Sequence, residues 1–483
     1  MSRHSTRSAR RSAVSLVGAA LLLLTSAVLT PAAATTGRTT ALSSGQEATI
    51  VPASSPMLGF VGRWERHYAG DEAATVNSGS LVRLRFTGQH LTGLFDVSTI
   101  TVPPQLYVTV DGGPESLVTV DRPEIELMPA GLRPGEHTVR IDVKDTDQVT
   151  NRWLLPLGDA VIVRGFRLAA GEHLLAPPKP ADVRMTVYGD SITEGIRALG
   201  QPLTPDGADG TRTYASLTAR ALHADLQLVG FGKQGVMRDG VGNVPTAPES
   251  LPYNFEGSVA DPGFDPDIVV LLQGSNDSQV TDEQFAPAYA SYLREVRASA
   301  PHAWIFAMEP LIGRHSTVIQ SDVLQSGDPR TVFVNTDGWL DRHNTADYTD
   351  TVHPTVAGHQ KVAANLAPII ARVTDLPLLS SPVRVSVPSV ALQDRCATAT
   401  VDLQQVLADT RLGARGTVLV SPPDGFTADH ERLPYTTRPD GTATVSVRLC
   451  GELPAGASSA RGLVRVLADD QVEALPSPLV VTG

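Results

Sequence analysis

The chain has 483 residues, 42% hydrophobic and 19% charged, with a formal net charge of −12 at pH 7. That length exceeds what one hydrophobic core normally serves, so about three domains are expected. The acidic balance lacks the electrostatic footprint of a nucleic-acid-binding protein and is read as solubility, so no nucleic-acid partner is expected.

Residues 1–34 read as a signal peptide. Arg3, Arg7, Arg10 and Arg11 give a basic start, Ala13 to Leu29 is apolar, and Ala32-Ala33-Ala34 offers small residues for cleavage. No second hydrophobic span follows, so the expectation is a secreted protein with no membrane span in its mature form. No cysteine sits near the cleavage site to carry a lipid. Cleavage would leave 449 residues at a net charge of −16, because four arginines and no acid depart with the segment.

Residues 45–175 alternate with period two: Val82, Leu84 and Phe86 interleave with Arg83 and Arg85, and Val139, Ile141 and Val143 with Arg140, Asp142 and Lys144. Leu106, Val108 and Val110 run into an Asp111-Gly112-Gly113 turn. Short alternating strands between Gly, Pro and Asp turns predict a β-sandwich. Ala176-Pro177-Pro178-Lys179-Pro180 then reads as a stiff linker.

The pattern changes across residues 182–376. Val183, Met185 and Val187 predict a short strand, and Ile268–Leu272 is continuously apolar, as befits a strand buried on both faces. Trp304–Met308 and Val332–Val334 predict two more, with helices over Tyr214–His223, Asp282–Ser299 and Val356–Val373 between and after them. Strand alternating with helix predicts a three-layer α/β domain on a parallel sheet. Residues 378–483 return to short alternating strands at Val383 to Val387, Val445 to Leu449, and Val464 to Val466, predicting a second sandwich. Cys396 and Cys450 lie there and are the chain's two cysteines. In an exported chain they read as a disulfide, whose loop closure would contribute roughly 4 kcal/mol. Two cysteines alone do not make a zinc centre.

Three short blocks carry the chemistry. Gly189-Asp190-Ser191 follows a strand, where an α/β sheet places its ligands, so Ser191 is the candidate nucleophile. Ser191 and Glu194 also match a capping box, in which the serine would only cap a helix. Asp350-Thr351-Val352-His353 sets a carboxylate three residues before an imidazole, just ahead of Pro354, a preferred first helical residue. Asp350 would fix the tautomer of His353, leaving its other nitrogen to take the serine proton. His359 is read as a helix-surface or packing residue. Gly274-Ser275-Asn276-Asp277 follows the buried strand, where the Asn276 amide could donate to an oxyanion or simply make a turn. Together these are the parts that acyl transfer at a serine requires.

Through Gly-Asp-Ser-Ile-Thr-Glu-Gly (189–195), Gly-Ser-Asn-Asp (274–277) and Asp-Thr-Val-His (350–353), residues 183–375 resemble the SGNH hydrolases, the GDSL esterase/lipase superfamily. The resemblance implies Ser191 as nucleophile, His353 as base, Asp350 as its partner, and Ser191, Gly235 and Asn276 as the oxyanion hole. Gly235 is aligned to the family's oxyanion glycine within Val229–Gly235, with Gly232 as its rival. A sandwich beginning near Phe60-Val61-Gly62-Arg63-Trp64 and leading into the serine strand is similar in layout to carbohydrate esterase family 2. That likeness implies a jelly-roll-like first domain and acetyl esters of polysaccharides as substrates. A lipase or general carboxylesterase, an acyltransferase to sugar, and a binding protein with a vestigial site remain alternatives. No metal or organic cofactor is expected, since no HExxH, phosphate-binding loop or dinucleotide fingerprint occurs. Trp339 would either stack on a sugar or pack in the core, and the low aromatic content (5%) gives no broad sugar platform.

Overall fold

A computed structural model describes residues 48–112, 115–376, 383–405, 414–423, 425–468 and 477–483. The expected signal peptide, residues 1–34, lies outside the described residues. No helix among the described residues is long and apolar enough to cross a membrane.

The N-terminal region forms two antiparallel sheets of six strands each. One centres on Val161–Leu168, the other on Leu81–Gly88 and Gly135–Asp145. The expected alternation holds: Val82, Leu84, Phe86, Val139, Ile141 and Val143 are buried with Trp64, Leu106, Val108 and Phe166 between the sheets. The opposite face, which an isolated sandwich would leave to water, is partly covered here. Lys144 is buried and donates to the Ala208 carbonyl at 2.7 Å. Arg83 meets Asp225 at 2.9 Å, and the Tyr107 hydroxyl donates to Asp209 at 3.0 Å. These partners all lie beyond residue 200, so the polar face of one sheet packs on the α/β region. Residues 176–182 pass without regular secondary structure from the strand His173–Leu175 to the strand Val183–Gly189.

The α/β region holds a five-stranded, wholly parallel sheet. Its order is Ala224–Gly230, Val183–Gly189, Ile268–Leu272, Trp304–Met308, Thr331–Val334. Numbered by sequence, that order is 2-1-3-4-5, and it reverses between the first and third strands. Ligands of such sheets bind at the carboxyl ends of the strands flanking that switch. All five residues of Ile268–Leu272 are buried, with helices on both faces. Asp282–Ser299 starts at a capping box, in which the Thr281 hydroxyl accepts from the Gln284 N–H and the Gln284 side chain accepts from the Thr281 N–H. Val356–Thr374 packs with Tyr214–Ala221 on the other face. A helix over Ser316–Ser326 and the edge strand Ala224–Gly230 add to the elements predicted.

The C-terminal region is a second sandwich, of four and five strands, with Val401, Leu403, Val418, Val447, Leu449, Val464, Val466 and Val481 in its core. Cys396 and Cys450 stand opposite each other on neighbouring antiparallel strands and form a disulfide.

Candidate active site

The first strand of the parallel sheet ends in a turn that admits no side chain at Gly189, where a Cβ would lie 1.9 Å from the Thr193 hydroxyl. Asp190 caps the single-turn helix Ser191–Glu194: its carboxylate accepts from the Ile192 N–H at 2.9 Å. Gly195, at φ +95°, ends that helix. The capping box weighed for Ser191 is therefore absent, because Asp190 occupies the cap and Glu194 pairs with Arg152 instead. Ser191 is the first helical residue, so its N–H has no intrahelical acceptor.

The structure brings Ser191, His353 and Asp350 together across 162 positions of chain. The Ser191 Oγ lies 3.0 Å from His353 Nε2, and His353 Nδ1 lies 2.9 Å from Asp350 Oδ2. The other oxygen, Asp350 Oδ1, accepts from the N–H groups of Val352 and His353, both at 2.7 Å. Arg197 Nη1 donates to Oδ2 at 2.6 Å. Burial alone would raise the Asp350 carboxyl. The His353 N–H and imidazole, the Val352 N–H and the Arg197 guanidinium outweigh it and hold the group well below the usual carboxylate range. Pro354 is not the first helical residue, as had been expected. It bridges back to Tyr348, and the helix starts at Val356 behind a Thr355 cap. His359 is fully buried rather than on a helix surface; its Nδ1 accepts from the Tyr214 N–H at 3.2 Å. Burial, with His353 nearby, pushes its imidazole down to about 3 and keeps it neutral.

The three expected oxyanion donors are differently engaged. The Ser191 N–H, at the helix start, has no acceptor among the described residues. The Asn276 amide donates to the Gln234 carbonyl at 3.0 Å and to Asp190 Oδ2 at 3.2 Å. The Gly235 N–H donates to the Arg238 carbonyl at 2.9 Å, so in this structure it faces its own turn rather than a substrate. Glycine is required there for another reason: a Cβ would lie 2.5 Å from the Asp277 carboxylate. Asp277 in turn accepts from the N–H groups of Val236 at 3.0 Å and Met237 at 2.8 Å, locking the loop to the third strand's end. The rival Gly232 faces the Gln148 side chain of the N-terminal region. Asp190 is buried beside these groups, and burial pushes its carboxyl up to about 6, against the Ile192 N–H, which favours the charged form.

Sequence reasoning missed Arg197, Asp190, Asp277 and Arg152. Asp190 and Asp277 lay inside the quoted blocks, where cap chemistry and turn chemistry could have flagged them. Arg197 and Arg152 carry no local signal. Trp339 packs half-buried with the cluster containing Val334 and Leu366, which favours its core role.

Residues 187–361 match the model of the GDSL-like lipase/acylhydrolase family, a stretch that holds all three motif blocks. The chain is 27% identical over 314 residues to a cellulase/esterase, CelE, of Acetivibrio thermocellus, matching 60% of this chain and 36% of that protein. It thus spans about a third of that relative's length. It is 24% identical over 354 residues to an acetylxylan esterase/glucomannan deacetylase of Cellvibrio japonicus, matching 67% of this chain and 91% of that protein. Among solved structures, a family two carbohydrate esterase from Clostridium thermocellum in complex with cellohexaose superposes at a TM-score of 0.56 with 26% identity, covering 66% of this chain and all of the other. The expected SGNH-type α/β fold and its family-two layout are borne out.

Proposed function

We propose that this chain is a secreted serine esterase that removes short acyl groups, acetyl above all, from carbohydrate. The reading is carried by the continuous hydrogen-bonded line from Ser191 Oγ through the His353 ring to Asp350, at 3.0 Å and 2.9 Å. The acyl and sugar specificity is carried over from the acetylxylan esterase and the cellohexaose-bound esterase that the chain resembles.

In the proposed reaction Ser191 Oγ bonds to the ester carbonyl carbon as its proton passes to His353 Nε2. The carbonyl oxygen becomes an oxyanion, which the unengaged Ser191 N–H meets first. The Asn276 amide joins by giving up its longer contact to Asp190; a donor of this kind is worth roughly 3–4 kcal/mol of barrier. The Gly235 N–H joins only when the turn at Arg238 releases it. The carbon–oxygen bond to the sugar then breaks, and His353 returns the proton to the leaving alkoxide. Water repeats the sequence on the acyl-serine, releasing the acid.

The test is acetate release from acetylated xylan and glucomannan, with Ser191→Ala as control. Loss of release by at least about a thousandfold is expected of that variant, and unchanged release would rule the nucleophile out. Faster turnover of a long-chain nitrophenyl ester than of the acetate would turn the reading towards a lipase.

A further inference from the structure

We propose that Arg197 is a positioning residue for the Asp350–His353 pair, holding the carboxylate to the imidazole and setting the pH at which the base begins to work. The inference rests on the acyl-transfer reading above and deepens it.

Arg197 Nη1 donates, at 2.6 Å, to Asp350 Oδ2, the oxygen that faces His353 Nδ1 at 2.9 Å. Oδ1 already accepts two backbone N–H groups, so four donors fix the carboxylate's rotation, and one of them is a cation. An ordinary surface ion pair contributes little and selects no particular atom. This one shares the atom the base depends on.

The arginine's placement is built by its surroundings. Arg197 holds a left-handed backbone (φ +60°), unusual for a residue with a long side chain. Its Nε donates to the Gln201 carbonyl at 3.1 Å, and its own carbonyl accepts from the Thr349 hydroxyl at 2.8 Å. Gln201 reaches the Thr349 carbonyl at 2.8 Å, and the Val356 N–H reaches the Ala198 carbonyl at 3.1 Å. The segment after the nucleophile helix is thereby stitched to both sides of the Asp350–His353 turn. About a quarter of the arginine side chain is exposed, so its charge is only partly screened.

A guanidinium two hydrogen bonds from the imidazole opposes the positive charge that the base acquires. The other charged or titratable groups around the pair are Asp190 and the buried, neutral His359, which both sense His353, and Arg342, whose guanidinium holds the Thr351 carbonyl at 2.9 Å. Removing Arg197 therefore takes away a charge that disfavours the cationic form of the catalytic pair, and the acid limb of the rate profile should move to higher pH. Two unit charges at that separation, partly screened, interact by an amount that corresponds to on the order of one pH unit in such a limb.

The experiment compares kcat/KM for nitrophenyl acetate against pH in the full chain, for wild type, Arg197→Met, Arg197→Lys and Ser191→Ala. Arg197→Met is expected to move the acid limb up by about one unit, giving roughly tenfold lower kcat/KM below the wild-type limb and a smaller loss on the plateau. Arg197→Lys should return the limb towards its wild-type position. A residue that merely stabilised the fold would lower activity without moving the limb, and an unmoved limb in Arg197→Met overturns the proposal. If Arg197→Met does not fold, Arg197→Gln, which drops the charge but keeps an amide donor, serves in its place. Hydrolysis surviving in Ser191→Ala would instead overturn the underlying reading. An inactive Ser191→Ala with an unmoved limb would overturn the role of Arg197 alone.

Discussion

Arg152→Met removes the cation that answers the buried carboxylate at the end of the nucleophile helix. Arg152 and Glu194 have side chains each 1% exposed, and both guanidinium Nη atoms reach the two Glu194 oxygens, the second at 3.2 Å. The guanidinium also lies 5.1 Å from the centre of the Phe231 ring. A second carboxylate depends on it: burial, followed by the charge of Glu194, pushes Asp145 well above the usual carboxylate range, and Arg152 is among the groups that oppose this. Deleting one partner of a buried pair leaves an uncompensated charge and costs about 3–5 kcal/mol. For a transition that takes in the N-terminal and α/β regions together, about 330 residues, that corresponds to a fall in Tm of roughly 4–7 °C.

The assay is thermal and urea unfolding by circular dichroism, with ester turnover followed alongside so that the transition of the unit carrying the site is identified. The double variant Arg152→Met/Glu194→Met replaces both charges with apolar groups of similar length and should recover most of the loss. Two results would refute the reasoning: a single variant within about 1 kcal/mol of wild type, or a double variant no more stable than the single.

Gly235→Ala forces a methyl against the Asp277 carboxylate, which a Cβ would approach to 2.5 Å. Turnover should fall about tenfold or more as the loop carrying the Val236 and Met237 N–H groups shifts, and wild-type kcat in a folded variant would count against that role. Asp190 gives a pH signature. Its folded carboxyl, raised to about 6 by burial, holds a proton where the unfolded group has already lost its own. Stability should therefore fall as pH rises from about 4 to about 6, by up to about 3 kcal/mol, and that component should vanish in Asp190→Asn; superimposable pH profiles of the urea midpoint would contradict it.

The elements legible in the sequence were those whose burial follows a regular pattern, continuous or periodic. Ile268–Leu272 and Trp304–Met308 were expected and found with the same bounds, because apolar runs of five residues are short for a helix and suit a strand covered on both faces. The helix Asp282–Ser299 also matched, its start marked by Thr281 and Gln284. Ala224–Gly230 was missed because Asp225 and Gln227 interrupt it, and it forms the edge of the sheet. Those polar residues have partners that no local pattern reveals: Asp225 takes Arg83, and Gln227 takes Arg63 Nε at 3.2 Å. Ser316–Ser326 was missed for its Ser and Gln content and its exposed Leu324. In the candidate site the nucleophile, base and partner carboxylate were legible because each sits in a short block with its own local geometry. The groups that hold them, Arg197 and Arg152, act over separations of 153 and 42 residues.

Those long-range groups bear on what the N-terminal sandwich does. Period-two alternation assigns Arg83, Arg140, Asp142 and Lys144 to a face that, in an isolated sandwich, belongs to water. Here part of that face clamps the chain just downstream of the nucleophile. Gln105 donates to Asp206 at 2.7 Å, Tyr107 donates to Asp209 at 3.0 Å, and Lys144 holds the Ala208 carbonyl at 2.7 Å. That clamped segment reaches the nucleophile helix in one step, because the Asp209 N–H donates to the Gly195 carbonyl at 3.0 Å. Arg63, almost wholly buried, adds a bond of 2.9 Å to the Tyr188 hydroxyl on the strand that delivers Ser191. Arg152 completes the set at Glu194. Three separate parts of the sandwich therefore converge on residues 188–209, with buried charges that would lose their partners if the α/β region stood alone. An unpartnered buried charge costs more than the pair contributes, so the two regions are expected to fold and act as one unit, with the sandwich as part of the scaffold of the site.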